Sequence, residues 1–220
     1  MPTALVTGAS RGIGREFVRQ YRAEGWQVIA TCRDPAKSGL DGAVHPLDVA
    51  DPASVAALAA ALRGETIDLL INNAGIAGPR GYDVGAIPFD AWEDVLRTNT
   101  LGPLRVAEAL LDEVARSQRR LMVFLSSGLG SIGQGGGGYY LYGSSKAALN
   151  KAVKSLSADL RPRGVGCLLL HPGWVRTDMG GPSASVSVEA SVRGMRKVIE
   201  GWSMAQSGSF VDYTGAAIPW

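Results

Sequence analysis

The sequence predicts an α/β fold, a single domain built as a doubly wound parallel sheet with helices on both faces. Three observations carry that expectation. Short apolar runs of strand type alternate with stretches of helical periodicity along the whole 220 residues. The first run passes into a helix through the glycine-rich turn Gly8-Ala9-Ser10-Arg11-Gly12-Ile13-Gly14. Polar motifs then close the predicted strands one after another, and in an open parallel sheet those strand ends form a single ligand crevice.

Taken in order, Ala4-Leu5-Val6-Thr7 reads as a strand and Phe17, Val18, Tyr21 and Ala23 mark the first helix, closed by Gly25. Glycines at such a turn let the backbone approach a pyrophosphate, whose charge sits at the positive end of the helix dipole. Val28 to Thr31 is the second strand, and Ala43 to Leu47 the third, ending at Asp48. Asp51 and Pro52 supply an N-cap and a proline at the first helical position of an alanine-rich helix reaching Arg63. Ile67 to Ile71 is a buried-type strand ending in Asn72-Asn73-Ala74-Gly75. Asp90, with Glu93 three residues on, is expected to open a long helix running past Asn99 to Ala115. Leu121 to Leu125 and Val165 to Leu170 are further strands on either side of a helix containing Tyr142. Ser187 opens a helix through Val192, Met195 and Val198, and Ser209 to Val211 is a short last strand. No linker breaks the alternation, so residues 1–220 read as one domain.

Hydrophobic residues make up 46% and charged residues 19%, which excludes a disordered or collagen-like chain. A net charge of +2, with no basic run beyond Arg116 to Arg120, lacks the electrostatic footprint of a nucleic-acid binder. No apolar run reaches the ~18 residues of a membrane span, and the start lacks the regions of a signal peptide, so the expected location is cytoplasmic. Cys32 and Cys167 fall in separate predicted strands and read as buried free thiols. Together with His45 and His171 they make no metal-ligand pattern.

The chemistry centres on Tyr142-Gly143-Ser144-Ser145-Lys146, where a phenol and an ammonium fall four positions apart on one helix face. An unperturbed phenol titrates near ~10, and opposite charges ~4 Å apart at an effective dielectric of ~20 interact by about 4 kcal/mol. A charged lysine at that distance is expected to draw the tyrosine toward proton exchange near neutral pH.

The ordered set of Thr7 to Gly14, Asp48-Val49, Asn72 to Gly75, Asn99, Ser127, Tyr142-xxx-Lys146 and Pro172-Gly173 resembles the short-chain dehydrogenases/reductases, from Thr3 to the C-terminus. Pro172 to Met179 and the stretch Gly208 to Trp220 look like the branch of the sniffer-type carbonyl reductases and the bacterial C-factor. The resemblance implies a Rossmann-like fold and a catalytic set of Asn99, Ser127, Tyr142 and Lys146. Tyr142 would be the general acid or base, Lys146 would hold the nicotinamide ribose and tune Tyr142, and Ser127 would donate to the substrate oxygen. Asn99 would anchor a water that relays protons to the lysine. The implied cofactor-binding set is Gly8, Ser10, Arg11, Gly12, Ile13, Gly14, Arg33, Asp48, Val49, Asn73, Ala74, Gly75, Tyr142, Lys146, Pro172, Gly173, Val175 and Thr177.

One spacing departs from the family. Its serine commonly lies thirteen residues before its tyrosine, which would select Tyr140, but only Tyr142 has a lysine four positions later. A two-residue insertion in Gly135 to Gly138 reconciles the two, with Ser131 as the alternative serine and Tyr140 in the substrate pocket. Ser126, of opposite strand parity to Ser127, is expected to face the cofactor or the sheet.

Cofactor choice turns on the end of the second strand, where an acid binds a ribose 2′-hydroxyl and an arginine accommodates a 2′-phosphate. Cys32 stands where the family's acid would be, followed by Arg33, and Arg11 offers a second cation, so NADPH is expected. Asp34 is placed to neutralise Arg33 or to bind a ribose. The expected partner is a small carbonyl or alcohol substrate, in a cleft lined by Trp174, Met179, Tyr140 and Trp202, with homodimer and homotetramer both open. The first reading is a reversible NADPH-dependent carbonyl reductase. The second is a dinucleotide-binding signalling or regulatory protein of C-factor type.

Overall fold

The computed structural model describes residues 1–220. Seven strands form one parallel sheet: β1 (Thr3–Val6), β2 (Gln27–Cys32), β3 (Val44–Pro46), β4 (Leu69–Asn72), β5 (Leu121–Leu125), β6 (Gly166–His171) and β7 (Ser209–Asp212). Their order is β3-β2-β1-β4-β5-β6-β7. The order reverses between β1 and β4, which pair through Ala4 with Leu69, Leu5 with Leu70 and Val6 with Ile71. A crevice opens at such a reversal, and the predicted polar motifs meet there.

The central strands are apolar on both sides because helices cover both faces. On one face Phe17, Val18 and Tyr21 of α1 (Gly12–Ala23) and Val192, Met195 and Ile199 of α7 (Val188–Glu200) pack on Ala4, Val6, Leu69, Ile71 and Val123. On the other, α2 (Pro52–Ala61), α4 (Gly102–Ala109), α5 (Leu111–Ala115) and α6 (Tyr140–Asp159) bury Val55, Val106, Val114 and Leu149 against Leu5, Leu70 and Phe124. The alternation of Leu69, Leu70 and Ile71 between these two clusters is the strand period of two made visible. No helix is long and apolar enough to cross a membrane, and both cysteines are buried and free.

Asp51 caps α2 as expected, accepting from the Ala53 N–H at 2.9 Å. Ser187 caps α7, accepting from the Ala190 N–H at 3.1 Å. The long helix expected from Asp90 to Ala115 differs. It begins one residue earlier, as α3 (Phe89–Leu96), with Pro88 at the cap and Asp90 inside the first turn, where its charge complements the dipole. It then widens into a π-helical turn, Arg97–Leu101, before α4 and α5. Such turns release backbone groups from the regular ladder and recur at functional sites, and Asn99 lies in this one.

The last strand is not an open edge. Asp212 N–H donates to Ala216 and Ile218 N–H to Phe210, so the chain after β7 folds back along it and covers its unpaired groups.

Candidate active site

The site starts with an interlock between the ends of β1 and β4. Thr7 Oγ1 accepts from the N–H groups of Asn73 and Ala74, each at 3.0 Å. The Asn73 amide donates in return to the carbonyls of Thr7 (2.8 Å) and Gly8 (3.1 Å). Asn73 thus holds the glycine turn itself. Gly8 (φ +67°) and Gly12 (φ +54°) occupy the left-handed region, and a Cβ on Gly14 would lie 2.3 Å from the Gly8 carbonyl oxygen. Arg11 occupies the N-cap of α1 without a side-chain cap, which leaves the first N–H groups of the helix available to an anion. The Ser10 carbonyl accepts from Arg15, and the Ile13 side chain packs on the α1 and α7 core.

Of the two arginines expected at a 2′-phosphate, Arg11 is engaged by Asp178 at 2.5 Å, with both side chains exposed. Arg33 is exposed. The neighbouring Asp34 pairs with Lys37 at 3.0 Å, so it does not neutralise Arg33. Asp48, after β3, accepts from the Ala50 N–H at 2.9 Å. Val49 is buried against Gly102, where a Cβ would lie 2.9 Å from its side chain.

Ser127, Tyr142 and Lys146 come together at the end of β5 and the first turns of α6. Ser127 Oγ accepts from the Leu129 N–H at 3.2 Å, and its side chain lies close enough to the Tyr142 phenol to favour the phenolate. Lys146 is buried, donates to the Leu125 carbonyl at 2.8 Å and lies 5.7 Å from the centroid of the Tyr142 ring. Burial pushes the Tyr142 phenol above its ordinary value of 10.0, against the lowering effects of Ser127 and Arg80. Burial also brings Lys146 down from 10.5 to about 8. The expectation that the lysine draws the tyrosine toward neutrality is therefore corrected for the protein alone. An ammonium that titrates at about 8 has lost its charge before the phenol ionises.

Asn99 is fully buried. Its Oδ1 accepts from Ile76 N–H at 2.9 Å, and its Nδ2 donates to the Ile76 carbonyl (2.8 Å) and Ser145 Oγ (3.0 Å). A Cβ on Gly75 would lie 3.1 Å from Asn99 Oδ1 and 3.7 Å from Lys146 Nζ, so these three positions are neighbours. Ser145 donates to the Tyr142 carbonyl at 2.7 Å, and Thr100 donates to the Ser145 carbonyl at 2.8 Å.

Two serines fall elsewhere than expected. Ser131 is buried and accepts from the Gln134 N–H, so it closes its own loop. Ser126 faces α6 rather than the cofactor side, donating to Asn150 Oδ1 at 2.6 Å. Gly136, Gly137 and Gly138 have open space where a Cβ would stand, as an outward two-residue insertion requires.

After β6, Ser191 donates to the Pro172 carbonyl at 2.6 Å. Gly173 (φ +83°) lies so close to the Tyr213 ring that a Cβ would be 2.9 Å away. Arg176 N–H and the Trp174 carbonyl both bond Val186 at 2.9 Å, closing the 174–186 loop around buried Val175. Thr177 Oγ1 accepts from Gly180 N–H at 3.1 Å.

At the mouth, Tyr140 stands 6.4 Å from Tyr82, centroid to centroid, and Trp174 and Met179 are exposed. Trp202 does not line this cleft. It packs over Gly166, where β6 begins, leaving no room for a Cβ. Sequence reasoning placed Thr7 at the head of the glycine motif but missed Ser145, Asn150 and Tyr82 as supports of the site. A polar residue on the buried face of an amphipathic element is the signal that marks Ser145 and Asn150.

The family model for short chain dehydrogenases matches residues 2–188. The protein is a member of that family. This short-chain dehydrogenase is 46% identical over 155 residues to C-signal of Myxococcus xanthus, across 70% of its own length and 93% of that protein. It superposes on the NADPH-bound carbonyl reductase from chicken fatty liver with a TM-score of 0.90 and 36% identity, covering 100% and 99% of the two chains. Against the carbonyl reductase Sniffer of D. melanogaster the TM-score is 0.92 at 32% identity, with 100% of each chain covered.

Proposed function

We propose that this short-chain dehydrogenase is an NADPH-dependent carbonyl reductase that interconverts ketones or aldehydes and alcohols, with Tyr142 as general acid in reduction and base in oxidation. The observation that supports this most is buried Lys146, 5.7 Å from the centroid of the Tyr142 ring and one helical turn after it, with Ser127 close enough to favour the phenolate.

The residues present fit a dinucleotide. A turn with no room for a side chain at Gly8 or Gly14 leads into a helix whose first N–H groups are uncapped, as a pyrophosphate needs. Arg33, left unpaired by Asp34, and Arg11, once released from Asp178, would take the 2′-phosphate. Asp48, Val49, Asn73, Ala74 and Gly75 would border the nucleotide, with Pro172, Gly173, Val175 and Thr177 on the nicotinamide side. When bound, the reduced nicotinamide supplies a hydride to the carbonyl carbon.

The chain's own residues handle the oxygen and its proton. Ser127 donates a hydrogen bond to the carbonyl oxygen and stabilises the charge that develops on it. Tyr142 gives its phenolic proton to the same oxygen. Lys146 lends positive charge to the phenolate left behind and would hold ribose hydroxyls. Asn99, behind Lys146 and beside Gly75, fixes the first turns of α6 through Ser145 and would anchor a water that returns the proton.

The test is to follow loss of NADPH absorbance with a panel of ketones and aldehydes, and to repeat it with Arg33→Asp. Turnover in the wild type and a lost preference for NADPH over NADH in the variant are expected. The 46% identity to C-signal favours a second reading, a dinucleotide-binding regulatory protein. NADPH binding without turnover of any substrate would favour that reading.

A further inference from the structure

The segment between β4 and α3 carries one cation that neither the nucleotide cradle nor the proton-transfer set uses. Arg80 is exposed, and one guanidinium nitrogen crosses to the carbonyl of Met179 at 3.0 Å, a residue 99 positions away. It thus spans the segment after β4 and the loop after β6. These two flank the substrate end of the cleft, and the Arg80 charge reaches Tyr142, where it favours the phenolate.

What sets Arg80 apart is its place at the cleft together with its free donors. Like Arg15, Arg22 and Arg176, Arg80 is in none of the molecule's ion pairs, so its charge is not neutralised by a carboxylate. A single bond to a neutral carbonyl leaves most of its N–H donors free, in the planar fork that matches a carboxylate. Aromatic groups stand on both segments that it joins: Tyr82, two residues on, lies 6.4 Å from Tyr140, and Trp174 is exposed in the loop that carries Met179. A greasy wall with one unpaired guanidinium selects for a body that is apolar and an end that is anionic.

We propose that Arg80 is a specificity-determining residue that binds the anionic end of the substrate across the cleft mouth, so that the preferred substrates are aryl or alkyl aldehydes and ketones carrying a carboxylate remote from the carbonyl. The proposal rests on the reductase reading above and adds the substrate class. Binding replaces the Met179 carbonyl with a charged acceptor, which forms the stronger, paired hydrogen bonds.

The test uses a matched pair, para-carboxybenzaldehyde and its methyl ester, with NADPH and the wild type, Arg80→Gln and Arg80→Lys. The wild type is expected to prefer the acid by about tenfold in kcat/KM, a charge-assisted hydrogen-bond effect, and to lose that preference as salt is added. Arg80→Gln should bring the ratio to about one, chiefly through KM for the acid, and Arg80→Lys should restore part of it. An unchanged ratio in Arg80→Gln overturns the proposal. So does an equal rise of both KM values, the signature of a strap that only holds the two loops together. A wild type that reduces the ester without preferring the acid overturns the Arg80 assignment and leaves the reductase intact. Failure on both compounds overturns it as well, and the broader ketone and aldehyde panel then decides separately whether the protein is a reductase.

Discussion

Lys146 holds its ammonium 5.7 Å from the centroid of the Tyr142 ring and anchors it on the Leu125 carbonyl at 2.8 Å. The pair joins α6 to the end of β5, so a cation is buried at the point where the proposed proton transfer begins. Its burial costs stability and makes it titrate at about 8.

The sign of the resulting pH effect follows from that lowered value. Between about 8 and 10.5 the unfolded chain carries the lysine proton and the folded one does not, so stability rises with pH across this window. Below about 8 the penalty is complete, about 3 kcal/mol for a shift of this size. Lys146→Met should therefore raise Tm of the nucleotide-free protein at neutral pH. Allowing for the lost bond to Leu125, the net gain is about 2 kcal/mol, or roughly 4–8 °C. The gain should vanish by about pH 10.5, and thermal melts across that range check it. The wild type's kcat/KM should fall as pH rises through about 8, because the charge behind Tyr142 is lost.

Arg11 cannot serve Asp178 and a 2′-phosphate at once. Asp178→Asn should therefore tighten NADPH binding by up to about fivefold, the most an exposed pair of this kind supplies. NADH affinity should stay the same. Titration of intrinsic tryptophan fluorescence with each nucleotide would reveal a variant that binds both alike, contrary to this account.

Asn99 satisfies three hydrogen bonds while fully buried in the π-helical turn. Asn99→Ala strands the Ile76 N–H and carbonyl and is expected to cost about 2–4 kcal/mol. Urea denaturation measures it. A loss under about 1 kcal/mol would mean that water replaces the amide easily.

The two-residue insertion also makes a prediction. Deleting Gly136 and Gly137, whose Cβ positions meet nothing, should leave Tm within about 2 °C of the wild type, as expected of an exposed loop tip. A large drop would show that the spacing between Ser127 and Tyr142 is structural.

Much of this was legible in the sequence because parallel strands buried on both faces advertise themselves as unbroken apolar runs. The apolar run Leu121–Leu125 coincides with β5 to the residue, and Asp51 and Ser187 declare the starts of α2 and α7 through their capping chemistry. The family motifs located Ser127, Tyr142 and Lys146, and the helical period explained why the last two share a face. The sequence could not show the π-helical turn at Asn99, since that depends on Ile76 and Ser145 arriving from distant segments. Nor could it show that Asp178 holds Arg11 or that Trp202 packs over Gly166, because both pairings exist only once the loops are closed. The Tyr142 shift runs opposite to the expectation from helical spacing for a similar reason. Charge separation can be counted along a helix, whereas burial of the lysine is set by the sheet beneath it.

The most direct measurement of the central claim is NADPH-driven carbonyl reduction by Tyr142→Phe, alongside its affinity for NADPH. Nucleotide binding is expected to survive within a few-fold while kcat falls by at least about a hundredfold, since general acid catalysis of this kind contributes about 10²–10⁴. Reduction at a rate near that of the wild type would contradict this expectation and remove Tyr142 from the mechanism.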